Sequence, residues 1–464
     1  MVVGRTIVRL TWAAALAASI AGPSLAGRIV VPPSDDDVQA ILDRSAEGDT
    51  IVLEGEHHGP VRIGRRLTLE GGPGATLTGN GRGSVVTVSV PGVFVRGLTI
   101  RGSGKDLEKM DAGIFVEQSA TGAVVEDNRI EGNLYGVYLH GSENAVARRN
   151  EIIGIKEGRV NEAGNGVSVW NASGAKVLDN DIRFGRDGIY VIASKRNVFS
   201  GNRFRDVRFA IHYMYTNDSE VSGNVSTGNT VGFAIMYSHR LVVRGNVSDG
   251  DRDHGLLFNF ANGSEIIGNQ VRGRLQPAER WMGGRMRGKE AMEHGLPPPD
   301  KEEPTLASGA RNGPEKCVFI YNANKNRFRD NWFEGCEIGI HFTAGSEGNE
   351  IVGNSFVNNR NQVKYVSTRY LDWSTGGRGN YWSDNPAFDL NGDGIADTAY
   401  RPNDLVDKVL WTAPQAKVLI NSPALQVIRW AQAQFPALLP GGVVDSHPLI
   451  SPPERPVAGE GGRP

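Results

Sequence analysis

The segment Ala210-Ile211-His212-Tyr213-Met214-Tyr215-Thr216, followed 24 residues later by Ala234-Ile235-Met236-Tyr237-Ser238-His239, decides how this chain folds. Both occupy one slot of an internal repeat. Elsewhere the slot reads Gly113-Ile114-Phe115-Val116, Gly136-Val137-Tyr138-Leu139, Gly166-Val167-Ser168-Val169, Gly188-Ile189-Tyr190-Val191, Gly255-Leu256-Leu257-Phe258, Cys317-Val318-Phe319-Ile320 and Gly339-Ile340-His341-Phe342. A second mark follows each slot: Asn128, Asn150, Asn180, Asn202, Asn224, Asn246, Asn269, Asn331 and Asn354, at intervals of 22, 30, 22, 22, 22, 23, 62 and 23. One unit is therefore about 22 residues, with two insertions. Such a unit cannot bury its own apolar face, whereas stacked units can. The apolar runs are rich in Val, Ile, Phe and Tyr and alternate with period two, so they are strands. Gly and Asn at the corners tolerate left-handed backbone angles, and Asn amides can bond from rung to rung. The expected fold is all-β, a right-handed parallel β-helix, the handedness being a fold-level expectation.

Around this repeat the sequence divides into a signal peptide (1–26), an N-terminal cap (27–48), a solenoid (49–370), a C-terminal cap and docking segment (371–450) and a disordered tail (451–464). Arg5 and Arg9, the apolar run Leu10 to Ala21 and the small-residue exit at Ala26 form a secretory signal, which predicts export of the mature protein, an N-terminal membrane anchor being the alternative. Asp37 before Val38, Ile41 and Leu42 predicts an N-capped helix over the open first coil. His57-His58 reads as plain surface in a polar turn. The excursion at 275–314 interrupts the repeat and carries Met282, Met286, Met292 and His294. Leu425 to Phe435 has a helical pattern.

The chain has 464 residues, 50 Lys and Arg against 52 Asp and Glu, and a net charge of −2, so no basic footprint for nucleic acid is present. No apolar run is long enough for a membrane span. The two cysteines, Cys317 and Cys336, fall about 10 Å apart on strand spacing, beyond disulfide reach. That favours two buried thiols, although a corner that folded the rungs together would allow a bridge.

Alternation turns Ile211, Tyr213 and Ile235 inward and His212, Met214 and Met236 outward. Thioether and imidazole ligands without carboxylates suit Cu(I), with His239, His254, Met282, Met286, Met292 and His294 as further copper candidates. The same Met could simply pack beneath a loop. The competing function for such a face is polysaccharide binding, lysis or epimerisation, with Tyr138, Trp170 and Tyr190 as sugar platforms. The outward columns read from the repeat contain no Lys or Arg, which argues against an enzyme acting on acidic sugars. A calcium-like loop places Asp389, Asn391, Asp393, Ile395 and Asp397 at alternate positions as Ca2+ candidates, with Tyr400 where the bidentate Glu belongs. A turn stabilised by Asp without any ion is the alternative.

The run from Ala210 to His239, with Asp251-Arg252-Asp253-His254-Gly255-Leu256-Leu257-Phe258-Asn259, Cys317-Val318-Phe319-Ile320-Tyr321-Asn322-Ala323-Asn324 and Gly379-Asn380-Tyr381-Trp382-Ser383-Asp384-Asn385, resembles the NosD family of nitrous-oxide reductase maturation proteins. The likeness runs from about Gly48 to Pro448. It implies a non-enzymatic periplasmic subunit that works with an ABC-type ATPase and its membrane permease. Such a protein receives copper from a membrane-anchored copper chaperone and helps assemble the copper–sulfide centre of apo nitrous-oxide reductase. In this setting Leu405 to Pro448 would dock on the permease through Trp411, Trp430 and Phe435.

Overall fold

The structure is a computed structural model that describes residues 26–33, 37–276, 311–343, 345–365, 367, 369–404, 406–407, 411, 415, 422–435 and 441–456. Each coil contributes one short strand to each of three parallel sheets, of 13, 12 and 13 strands, and the chain winds as a right-handed β-helix. The 12-stranded sheet carries the slot. Its central strands are β1 (Tyr135–His140), β2 (Val167–Trp170), β3 (Asp187–Ile192), β4 (Phe209–Met214), β5 (Val231–Met236), β6 (His254–Asn259), β7 (Lys316–Tyr321) and β8 (Ile338–Phe342).

The recurrent Asn is an inward ladder. From Asn128 to Asn380 the amides at this slot donate to the next Asn Oδ1 at 2.8–3.1 Å and to a backbone carbonyl, while each Oδ1 also accepts the previous Asn backbone N–H. Every buried polar group in the stack is satisfied, so removing one amide leaves partners without bonds. The ladder stops at Asp445, which accepts from the Asn380 backbone N–H (2.7 Å) and from Trp382 Nε1 (2.8 Å). Trp382 stacks on Phe356 at 4.4 Å and seals that end. At the other end, helix Val38–Arg44, capped by Asp37 through the Gln39 N–H, buries Val38, Ile41 and Leu42 in the core.

Four points differ from the sequence reading. Cys317 and Cys336 form a disulfide with Cα atoms 5.7 Å apart. Cys336 occupies the inward corner slot held by Asn229, Asp251 and Asn359 in other coils, so its side chain turns into the core instead of continuing a strand. The register of β5 is Ala234 opposite His212 and Met236 opposite Met214, two residues away from the repeat alignment. The tight slot there is Gly232, where a Cβ would meet the Gly255 carbonyl oxygen at 2.5 Å. His57 is buried on strand Glu56–His58, with Nε2 3.0 Å from the Glu54 carbonyl. Of the tail, residues 451–456 pack back on the solenoid: the Arg455 guanidinium lies 5.1 Å over the Trp332 ring and Gln270 donates to the Pro456 carbonyl. Residues 1–25 and 457–464 lie outside the described residues.

Candidate functional site

Three outward columns run along the 12-stranded sheet. The middle column reads Phe115, Tyr138, Ser168, Tyr190, His212, Ala234, Leu257, Phe319, His341 and Lys364. The trailing column contains His140, Trp170, Ile192, Met214, Met236, Asn259 and Tyr321. The leading edge contains Asp187, Phe209, Val231, His254 and Lys316.

Met214 and Met236 are thus register partners on adjacent rungs, about 4.8 Å apart along the stack. The Tyr190 hydroxyl sits 3.8 Å from the Met214 sulfur. Beyond Met236 stands Asn259, whose buried Oδ1 has no hydrogen-bond partner.

His212 is 7% exposed, and its Nδ1 lies 3.2 Å from Asp187 Oδ2. An ionised carboxylate only accepts, so Nδ1 carries a proton and Nε2 is the ring nitrogen left to face outward partners. Asp187, 1% exposed, is also clamped by Arg208 through Nε (2.8 Å) and Nη2 (2.7 Å). Burial alone would raise the Asp187 carboxyl, but the His212 and Arg208 bonds outweigh it and hold it below the usual carboxylate range. Carboxylate-held imidazoles are the arrangement in which metal ligands are oriented. The donor set of two thioethers and one imidazole fits a soft monovalent ion such as Cu(I).

The other sequence candidates fall elsewhere. His239 is on the corner beyond Tyr237, where its Nδ1 accepts from Asn262 Nδ2 at 3.3 Å. His254 is two rungs from His212 on the leading edge, donating from Nδ1 to the Asp253 carbonyl at 2.6 Å. Burial, then the Lys316 charge, pushes the His254 imidazole down to about 4. Met282, Met286, Met292 and His294 lie outside the described residues. The antiparallel strands Arg274–Gln276 and Arg311–Gly313 root that excursion, and Gln276 bonds the Gly250 and Asp251 carbonyls beside the leading edge.

In the calcium-like loop the carboxylates serve the loop itself. Asp389 accepts from the Gly392 and Gly394 N–H groups, Asp393 from Ile395 N–H and Asp397 from Leu390 N–H, while Asn391 accepts from Asp393 N–H. Among the described residues no group of three or more His, Cys, Asp or Glu is placed to hold a metal ion.

Sequence reasoning missed Asp187, Arg208 and His341. Asp187 and Arg208 sit one or two residues before the slot, a position the alignment had not counted as part of the face. His341 stood in the slot itself; it packs on Phe319 at 5.0 Å, and burial with the Lys364 and Lys316 charges lowers it to about 4. The face also has a rim: Tyr215, Tyr237 and Phe260, the residues after Met214, Met236 and Asn259, stack at 5.1 and 5.2 Å. All three hold left-handed backbone angles, φ 50°, 49° and 51°. Asn171, Ala193 and Asn322 hold the same conformation after Trp170, Ile192 and Tyr321, so it belongs to the coil corner, and the aromatic side chains are what distinguish these three.

Comparison with known proteins settles the family. A family described as periplasmic copper-binding protein (NosD) matches residues 149–387, and a right-handed beta helix region matches 51–182. A relative from Stutzerimonas stutzeri, described as a probable ABC transporter binding protein NosD, is 40% identical over 86% of each chain. The same description belongs to a relative from Pseudomonas aeruginosa, 38% identical over 95% of this chain and 98% of that one.

The chain belongs to the NosD family.

Among solved structures, the Dettilon tailspike protein aligns at TM-score 0.46 and 14% identity over 69% of this chain and 62% of that one, too distant to bear on function. The NosD match spans the rungs that carry His212, Met214 and Met236. Among the described residues no helix of this NosD-family chain is long and apolar enough to cross a membrane.

Proposed function

We propose that this NosD-family chain carries Cu(I) as transient cargo on the Met214–Met236 face and delivers it to apo nitrous-oxide reductase in the periplasm. It acts with an ABC-type ATPase and permease and receives the ion from a copper chaperone. The observation that carries the reading is the register stacking of Met214 on Met236 beside His212, an imidazole oriented by a buried carboxylate. The family description as periplasmic copper-binding, and the relatives' description as ABC transporter binding proteins, support it. The permease would meet helix Pro423–Gln434, whose Val427 and Trp430, with Phe435 just beyond, are more than 60% exposed.

The test is anaerobic Cu(I) titration of the mature chain against a competing chelator. Wild type should bind tightly, and the His212→Ala, Met214→Ala, Met236→Ala triple variant should lose binding while its circular dichroism stays that of a β-helix. Unchanged stoichiometry in the triple variant removes the site. The polysaccharide reading gains one observation, since the observed columns, against the expectation of no Lys or Arg, include Lys364 and Lys316, with Arg186 beside the leading edge. Alginate and pectate cleavage assayed on the same preparation decides between the two.

A further inference from the structure

On the same face, three rungs before Met236, the middle column breaks its run of large side chains. Ser168 lies between Tyr138 and Tyr190 in register, so the two tyrosines flank a notch about 10 Å from rung to rung. Tyr135 forms a third wall: its ring packs edge-on against Tyr138 at 5.2 Å and lies over Gly164, where a Cβ would come within 3.0 Å of it. At the leading edge stands Arg186. Its Nε is buried without a hydrogen-bond partner, and among the described residues its guanidinium makes no ion pair. Its neighbour Asp187 is turned to Arg208 and His212 and so does not neutralise it. On the floor, Ser168 Oγ accepts from Asn165 Nδ2 at 3.0 Å, and Asn165 Oδ1 is itself buried and unpartnered.

The Arg186 backbone N–H donates to the Gly164 carbonyl at 2.8 Å, which sets Arg186 against the residue that the Tyr135 ring covers, and its charge opposes the burial that raises the Tyr135 phenol. Burial, with the neighbouring Tyr135 and Tyr190, pushes Tyr138 up to about 12, so its hydroxyl keeps its proton at neutral pH. One uncompensated guanidinium and the two phenolic O–H groups of Tyr135 and Tyr138 beside a two-rung gap match a compact oxyanion, which accepts on every side. Tyr190 walls the notch without donating into it, because its hydroxyl turns to the Met214 sulfur at 3.8 Å, on the rung beyond.

We propose that Arg186, Tyr135 and Tyr138, with Tyr190 as the far wall, form a binding site for one compact oxyanion, the carboxylate of a sugar acid or a free inorganic oxyanion. The experiment is calorimetric titration of the full mature chain, free of copper and at constant ionic strength, with sulfate, phosphate and galacturonate. Wild type should bind at least one probe at a stoichiometry of one. Arg186→Gln should weaken that binding about 10- to 100-fold, and Tyr138→Phe, which removes only a hydroxyl, several-fold, both with unchanged circular dichroism. Binding of sulfate or phosphate assigns the site to a free oxyanion, and binding of galacturonate alone to a sugar acid. Failure of all three probes on wild type, or binding by folded Arg186→Gln or Tyr138→Phe that equals wild type, overturns the proposal. Since no copper is present, failure of the copper reading leaves this result untouched.

Discussion

Replacing Asp187 by Asn keeps the shape of the side chain and removes its charge. Arg208 then has an amide where two carboxylate oxygens stood at 2.8 and 2.7 Å, and His212 loses the ionised acceptor at 3.2 Å. Stranding a buried charge typically destabilises by 3–5 kcal/mol. The Arg208 side chain retains 14% exposure and still lies 4.4 Å over the Phe209 ring, so the lower end applies, about 3 kcal/mol. The same change releases the His212 tautomer, and losing such a partner typically weakens metal affinity about 10- to 100-fold. Urea unfolding read by aromatic fluorescence measures the first effect and Cu(I) competition the second. Adding Arg208→Met removes the stranded charge, so the double variant should recover most of the stability but none of the copper affinity. The sign with pH follows from the lowered Asp187 carboxyl. Its contribution is complete above the unfolded value near 4 and is lost as pH falls through the native value, a loss absent from Asp187→Asn. An Asp187→Asn protein as stable as wild type, with equal copper affinity, would refute the reasoning.

Further outcomes follow from other parts of the fold. Met214→Leu with Met236→Leu conserves volume, so unfolding should shift by under about 1.5 kcal/mol while Cu(I) affinity collapses; intact affinity would dismiss the thioethers. Cys317→Ser with Cys336→Ser opens a 19-residue separation and should cost about 3 kcal/mol on thermal unfolding under oxidising conditions, with no difference from wild type in reductant. His254 and His341, both held down to about 4, stay neutral in the folded chain while the unfolded chain takes up protons below about 6.5. Stability should therefore fall as pH drops from 6.5 to 4, and His254→Gln should flatten that slope in pH-resolved thermal unfolding. Asn224→Ala leaves the Asn202 side without its acceptor and should cost about 1–3 kcal/mol; a neutral result would discount the ladder.

The coil repeat was legible because its physical demands are local. Each 22-residue unit needs the same alternation, the same tight Gly and the same Asn, so Gly188-Ile189-Tyr190-Val191 and Asn202 announce a β-helix without reference to distant residues. Which side chains face outward followed from period two alone, and His212, Met214 and Met236 were assigned correctly to the outside. Register was harder. Ala210 and Ala234 looked equivalent because both precede Ile, yet the close approach of neighbouring backbones admits only a very small residue, and Gly232 met that demand. The two-residue shift moved Met236 from His212 to Met214.

What the sequence determined by itself was the identity of the coil, its period, the outward set of side chains and the likeness to the NosD family, since each depends on neighbours a few residues away. The tertiary structure decided what those side chains meet. Asp187 reaches His212 from 25 residues away, Cys336 reaches Cys317 across a corner, and Arg186 is set near Tyr135 through the Gly164 carbonyl that its N–H bonds. These pairings arise because stacking brings one residue of each coil within about 5 Å of its counterpart, and insertions of unequal length between coils hide that correspondence from the linear order.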